Sequence, residues 1–220
     1  MSSCPTPMKV IDQVTMLAFS ALLGVAAPAL ADDDSPPLLN SERIEQRFGS
    51  YGIELLAQTD AVRIASLYSL ENGEKVTRTF AVTRYSDSVD ARLAQAHERI
   101  LAGGSIGATL AEAGWTVTRR HLWVGDVPAT TGIGSLMNID DSSPLGLHVF
   151  DLEVSRGDEQ LHYATIAEVH HPDHLDRNGI EQLFGPTESA SGTRAATMLG
   201  LTLDAMLELT SSVRESTNSG

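Results

Sequence analysis

Apolar and polar positions alternate along several stretches of this chain at the period of two that marks half-buried strands. Such runs cover Ile53–Gln58, Val62–Leu70 and Lys75–Thr83. The last two are joined by Glu71-Asn72-Gly73-Glu74, and an Asn-Gly pair between strands signals a tight hairpin. Trp115–Val124 alternates in the same way. Leu147–Val154 and Gln160–His170 predict a second hairpin across Arg156-Gly157-Asp158-Glu159. Elsewhere the spacing is helical. Ser41–Phe48 predicts a short helix, capped by Asn40 or Ser41 and stopped by Gly49. Between Ser86 and Ala102 the residues Val89, Leu93, Ala96, Ile100 and Leu101 share one side of a helix, which Gly103-Gly104 ends. Ile106–Ala113 predicts another helix, stopped by Gly114. Pro128–Ser143 has no clear period and reads as a loop or lid. Asn178–Phe184 reads as a helical turn. Thr193–Leu209, apolar nearly all round, predicts a helix packed on the domain or on a partner. Antiparallel strands with helices inserted between them define an α+β fold.

Composition narrows the classes. The 220 residues are enough for one medium domain. Residues 1–31 read as a signal peptide: Lys9, a short apolar run from Val14 to Ala27, then Ala29-Leu30-Ala31 before Asp32. The run is too short for a comfortable membrane span. A periplasmic or secreted protein follows as the expectation, with no membrane span in the mature chain. Residues 32–40 read as a linker, 41–185 as the domain, and 186–220 as an appended helix with a disordered tail. The single cysteine, Cys4, precedes the expected cleavage site, so no disulfide, thiolate nucleophile or cysteine-based metal site is expected. A net charge of −14 argues against nucleic acid as a partner. The sequence identifies no particular protein partner.

Candidate chemistry centres on Glu168, a carboxylate inside an otherwise apolar strand, where burial is costly without a partner. Counting back from the turn places Phe150, Leu152 and Val154 on one face with Leu161, Tyr163 and Thr165. Glu168 then falls on the opposite face with Leu147, Val149, Ala164 and Ile166. Desolvation there raises its pKa and prepares it for acid–base work, and a cationic neighbour reverses that shift. Arg63 and Arg78, both in predicted strands, are the candidate partners and the candidate substrate-binding residues. Such a pocket suits a small organic acid, because guanidinium grips carboxylate through two parallel hydrogen bonds. A buried ion pair that fixes strand register is the structural alternative. His170, His171, Asp173 and His174 invite a metal reading. Adjacent strand residues point to opposite faces, so only His170 and His174 can share an ion, and no distant third ligand is evident. No metal and no cofactor are expected. Trp115 and Trp123 fall on one face at strand spacing and are expected in the core.

Several short segments, in order, resemble chorismate pyruvate-lyase and its fold relatives, the ligand-sensing domains of GntR-type regulators. They are Ser41–Phe48, Asn72-Gly73-Glu74, Arg78-Thr79, Gly104-Ser-Ile-Gly-Ala-Thr-Leu110 and Ala167-Glu168-Val169 with Pro172. The likeness spans about residues 41–175. It implies a cofactor-independent pocket for an aromatic or enolpyruvyl carboxylate. Arg63 would bind the carboxylate, Arg78 would serve as a second contact and Glu168 would act as acid or base. The implied reaction is elimination of pyruvate from chorismate to give 4-hydroxybenzoate. A non-catalytic domain that only binds a small carboxylate is the alternative. The chain departs from the family pattern at His170-His171, where that pattern has apolar residues.

Overall fold

The chain divides into two units, Met1–Pro36 and Pro37–Gly220. The computed structural model describes residues 38–185 and 192–218, all in the second unit, with side chains up to 211. The expected signal peptide, most of the expected linker, and Cys4 lie outside the described residues.

Six antiparallel strands form one sheet: β1 (Gly52–Gln58), β2 (Val62–Glu71), β3 (Glu74–Tyr85), β4 (Thr116–Pro128), β5 (Pro144–Arg156) and β6 (Glu159–His170). Their spatial order is β1-β2-β3-β6-β5-β4, so β6 sits between the two halves and contacts both β3 and β5. Among the described residues six α-helices complete the α+β fold: α1 (Asn40–Phe48), α2 (Ala94–Leu101), α3 (Ile106–Glu112), α4 (Thr131–Met137), α5 (Arg177–Phe184) and α6 (Gly192–Asn218). The Asn-Gly signal is explained by backbone conformation. Asn72 and Gly73 have φ of 52° and 88°, the left-handed pair that lets a two-residue turn match the strand twist.

Both faces of the sheet are covered. Phe80, Val82, Leu147, Val149, Ala167 and Val169 pack beneath α4 and α6, whose Ile133, Met137, Met198 and Met206 are buried with them. On the opposite face Phe150, Leu152 and Ile166 meet Leu93, Ile100, Leu110 and Trp115. Ile44 of α1 covers Ala65, Leu67 and Ala81. Each such large apolar side chain contributes about 1.5–3 kcal/mol by leaving water. No helix among the described residues is long and apolar enough to cross a membrane.

Two bulges decide which residues face which layer. Near its turn the β5–β6 hairpin follows the expected register, with Val154 opposite Leu161. A shift between Leu152 and Glu153 then pairs Leu152 with Ala164 and His148 with Glu168. The extra residue lies in β6, and it reverses the face of everything beyond it on one strand relative to the other. Glu168 therefore shares its face with His148 and Phe150, not with Leu147 and Val149 as the sequence spacing suggests. A second shift, between His121 and Trp123 of β4, has the same effect. It corrects the pairing of the tryptophans: Trp115 packs with α2 and α3, whereas Trp123 packs toward the α4–α6 side.

The stretch read as a lid contains α4. Its low helix propensity, with Gly132 and Gly134 in seven residues, conceals it from pattern reading. The glycines have a packing purpose. A Cβ on Gly132 would lie 2.6 Å from the Thr210 amide nitrogen and 2.7 Å from the Leu209 carbonyl carbon. The Gly132 amide also donates to Thr210 Oγ1 at 3.2 Å. Gly132→Ala is expected to push α6 from α4 and lower stability by about 1–3 kcal/mol. Urea denaturation measures this, and an unchanged midpoint would contradict the close packing. α6 itself continues past Leu209 to Asn218.

Candidate functional site

A pocket of about 80 Å³ lies between the sheet and the layer formed by α1, Tyr51 and the start of α3. Its floor comes from β2, β3, β4, β5 and β6, through residues that include Ala65, Thr83, Val117, Phe150 and Ile166. Leu39, Ile53 and Ile106 add to an apolar wall, and Arg63, Arg119 and Glu168 bring charge to it. A volume of this size holds roughly half a dozen waters, so it suits a compact ligand.

Arg63 is 1% exposed. Its Nη1 donates to the carbonyls of Ile100, at 3.1 Å, and Gly104, at 2.8 Å, where the chain turns from α2 toward α3. Its Nη2 is buried without a partner among the described residues. Arg119 enters from β4, where pairing with Leu152 turns it to the same face. Its guanidinium lies 5.5 Å from the centre of the Phe150 ring, and its Nε is likewise buried and unpartnered. Sequence reasoning passed over Arg119; the only available signal was its place in an alternating run. Arg78 is buried elsewhere. It donates to Ser69 Oγ at 2.8 Å, pairs with Glu71, and stacks 3.9 Å from the centre of the Phe48 ring. It is not among the residues that line the pocket.

Glu168 is buried, and no arginine forms an ion pair with it among the described residues. Its Oε1 accepts from Asn40 Nδ2 at 3.3 Å, and its Oε2 lies 3.7 Å from His170 Nε2. Burial pushes its pKa above the usual carboxylate range, opposed by the charges of Arg119 and Arg43 and by the Asn40 hydrogen bond. Arg63 and Glu168 thus line one pocket without touching. Asn40 does not cap α1. Leu39 holds the N-cap position, and its amide donates to Glu42. The Asn40 side chain instead turns inward, donating also to Thr79 Oγ1 at 3.1 Å, while its Oδ1 lies 2.8 Å from His174 Nε2.

Three further rings stack beside this carboxylate. His148, fully buried, lies 4.9 Å from His121 and 4.8 Å from Phe184 of α5, centre to centre. His148 Nε2 and His121 Nδ1 are 2.8 Å apart. Burial, reinforced by the charge of His121, depresses the His148 pKa to about 3. The same desolvation depresses His170 well below the usual histidine value. Donor atoms of His148, Glu168 and His170 all lie within 4.8 Å of one another. The sequence offered no distant partner for the histidines of β6. The β5–β6 bulge supplies one in His148.

No protein-family model matches the sequence, and comparison with curated proteins gives no match. Several solved structures resemble the fold. A putative transcriptional regulator from Streptomyces coelicolor is 16% identical, with 58% of this chain and 90% of that one covered and a TM-score of 0.39. The C-terminal domain of the histidine utilization repressor from Pseudomonas syringae is 12% identical, with 57% and 94% covered and a TM-score of 0.38. The ligand-binding domain of a putative GntR-family transcriptional regulator from Bordetella bronchiseptica is 11% identical, with 56% and 87% covered and a TM-score of 0.38. These likenesses are to domains of transcription regulators, so they run against the expectation of a periplasmic or secreted protein and lend it no support.

Proposed function

We infer that this protein binds a small organic anion, a carboxylate on a compact apolar or aromatic body, in the pocket beneath α1. The observation that carries this reading is a pair of guanidiniums, Arg63 and Arg119, that line one pocket, each with a buried N–H that lacks a hydrogen-bond partner among the described residues. A buried donor left unmade costs about 1–3 kcal/mol, and a carboxylate satisfies both cations at once. Phe150, Ile166 and Leu152 suit a ring or short aliphatic body. Asn40 and Glu168 form the polar end, where a hydroxyl or ether oxygen fits. The ligand-binding domain from Bordetella bronchiseptica, whose fold is similar, agrees with a small-molecule role.

Catalysis is the second reading, and the upward pKa shift of Glu168 favours it. A buried carboxyl held toward its protonated form is equipped to donate a proton to a departing oxygen. Elimination of pyruvate from chorismate is the reaction of that kind which the sequence likeness implies. Calorimetry with benzoate and 4-hydroxybenzoate tests the first reading, and pyruvate release from chorismate tests the second. Binding without pyruvate release supports a carboxylate-binding protein. No heat of binding with either acid would overturn the anion reading, and pyruvate above the enzyme-free background would establish the lyase.

A further inference from the structure

The geometry points to a divalent metal site of the zinc class, formed by His148, Glu168 and His170, of which Glu168 also lines the pocket. The three residues come from neighbouring strands and one face. His148 lies opposite Glu168 in the β5–β6 ladder, and His170 follows Glu168 by two positions. Their donor atoms gather within 4.8 Å, and the closest carboxylate–imidazole approach is 3.7 Å. Four donors at tetrahedral zinc, bonded at about 2.1 Å, stand about 3.4 Å apart. Small side-chain rotations on a fixed sheet close that difference.

The second observation is independent of the spacing. His148 Nδ1 and His170 Nε2 are both buried and have no hydrogen-bond partner among the described residues. Each opposite ring nitrogen is engaged. His148 Nε2 meets His121 Nδ1 at 2.8 Å, and His170 Nδ1 meets Thr79 Oγ1 at 3.0 Å. When those engaged nitrogens carry the protons, both free nitrogens keep lone pairs, and that of His170 lies 3.7 Å from the carboxylate. That is the arrangement by which outer partners fix the tautomer of metal-binding imidazoles. Two unpaired imidazole lone pairs beside a carboxylate would repel one another without a cation between them. Two nitrogens and one oxygen favour zinc, cobalt or a related ion over magnesium or calcium, which prefer oxygen donors. Three protein ligands leave one position open at a tetrahedral ion.

The site shares Glu168 with the anion-binding reading, but its test uses no organic acid. Untagged full-length protein is stripped with chelator, then titrated with Zn²⁺ in competition with a chromophoric chelator, and with Co²⁺ followed by visible absorption. One ion per chain and tetrahedral Co²⁺ bands are expected. His148→Ala and His170→Ala should each weaken the metal by at least about a hundredfold, whereas His97→Ala, a control distant from the cluster, should not. Equal affinity in all three variants, or no stoichiometric binding to the parent, would overturn the site. Should a variant fail to fold, thermal denaturation of the parent remains decisive. Its Tm must rise with Zn²⁺ concentration, and a constant Tm contradicts the proposal. Benzoate binding in the metal-free protein reports on the anion reading by itself.

Discussion

Arg63→Leu is expected to weaken carboxylate binding about a hundredfold, or ~3 kcal/mol, the usual loss when one partner of a buried charge pair is removed. Arg63 is held before any ligand arrives. The Ile100 and Gly104 carbonyls fix its Nη1, so the guanidinium is held at the pocket wall without further ordering. That arrangement spares a ligand the entropy of immobilising a long side chain. Arg63→Lys keeps the charge but loses the planar fork, so it should restore only part of the affinity. Arg63→Leu also strips two carbonyls of a donor and should cost stability, so affinity must be compared where both proteins are folded. Arg78→Leu is the control, with its effect expected in stability alone. Calorimetry across the three variants checks this, and an Arg63→Leu protein that binds 4-hydroxybenzoate like the parent would remove Arg63 from the site.

The largest effect on stability is expected at Asp151, a fully buried carboxylate on β5, opposite Thr165 in the ladder. It accepts from Thr165 Oγ1 at 2.7 Å, and it pairs with His162, Arg120 and, from α6, Arg194. Burial alone would raise its pKa. The hydrogen bonds from His162 and Thr165, together with the charges of His162 and Arg194, outweigh that and hold it below the ordinary range. Asp151→Asn is expected to cost about 3 kcal/mol at neutral pH, the low end for a broken buried pair because both arginines keep solvent contact. A depressed carboxyl pKa stabilises the fold above the unfolded-state value and ceases to do so as the pH falls through the folded-state value. The deficit of the variant should therefore shrink in strong acid. Urea denaturation at neutral and strongly acid pH tests this, and a deficit independent of pH would show that the charge is irrelevant.

Element order was readable because local signals agreed: Asn72-Gly73 for the first hairpin, Gly49 for the end of α1, and alternation along β2, β3 and β6. Site composition was readable only in part. Glu168 stood out as a carboxylate in an apolar run, and Arg63 reaches the same pocket from a predicted strand. His148 was missed because face assignment by counting holds only while the ladder is regular, and a bulge in β6 changed the parity. Arg119 was missed because an alternating run by itself does not mark one residue as part of a site. Asn40 was misread because its side chain suits a helix cap as well as a buried bridge, and only the tertiary fold selects between them. α4 was missed because glycines chosen for close contact lower helix propensity.

The covering of the α4–α6 face also bears on the order in which the chain acquires structure. β2 and β3 are adjacent in sequence and can pair early, as can β5 and β6. α6 comes last among the described elements, yet it completes the layer over Phe80 and Val82, which lie far upstream. Closing so long a loop is entropically slow, so α6 should dock after the sheet has formed. Until then the apolar side of the sheet faces water, an adhesive surface during the interval when encounters between chains matter most. Pulse-labelling hydrogen exchange during refolding should find β2, β3, β5 and β6 amides protected before those of α6.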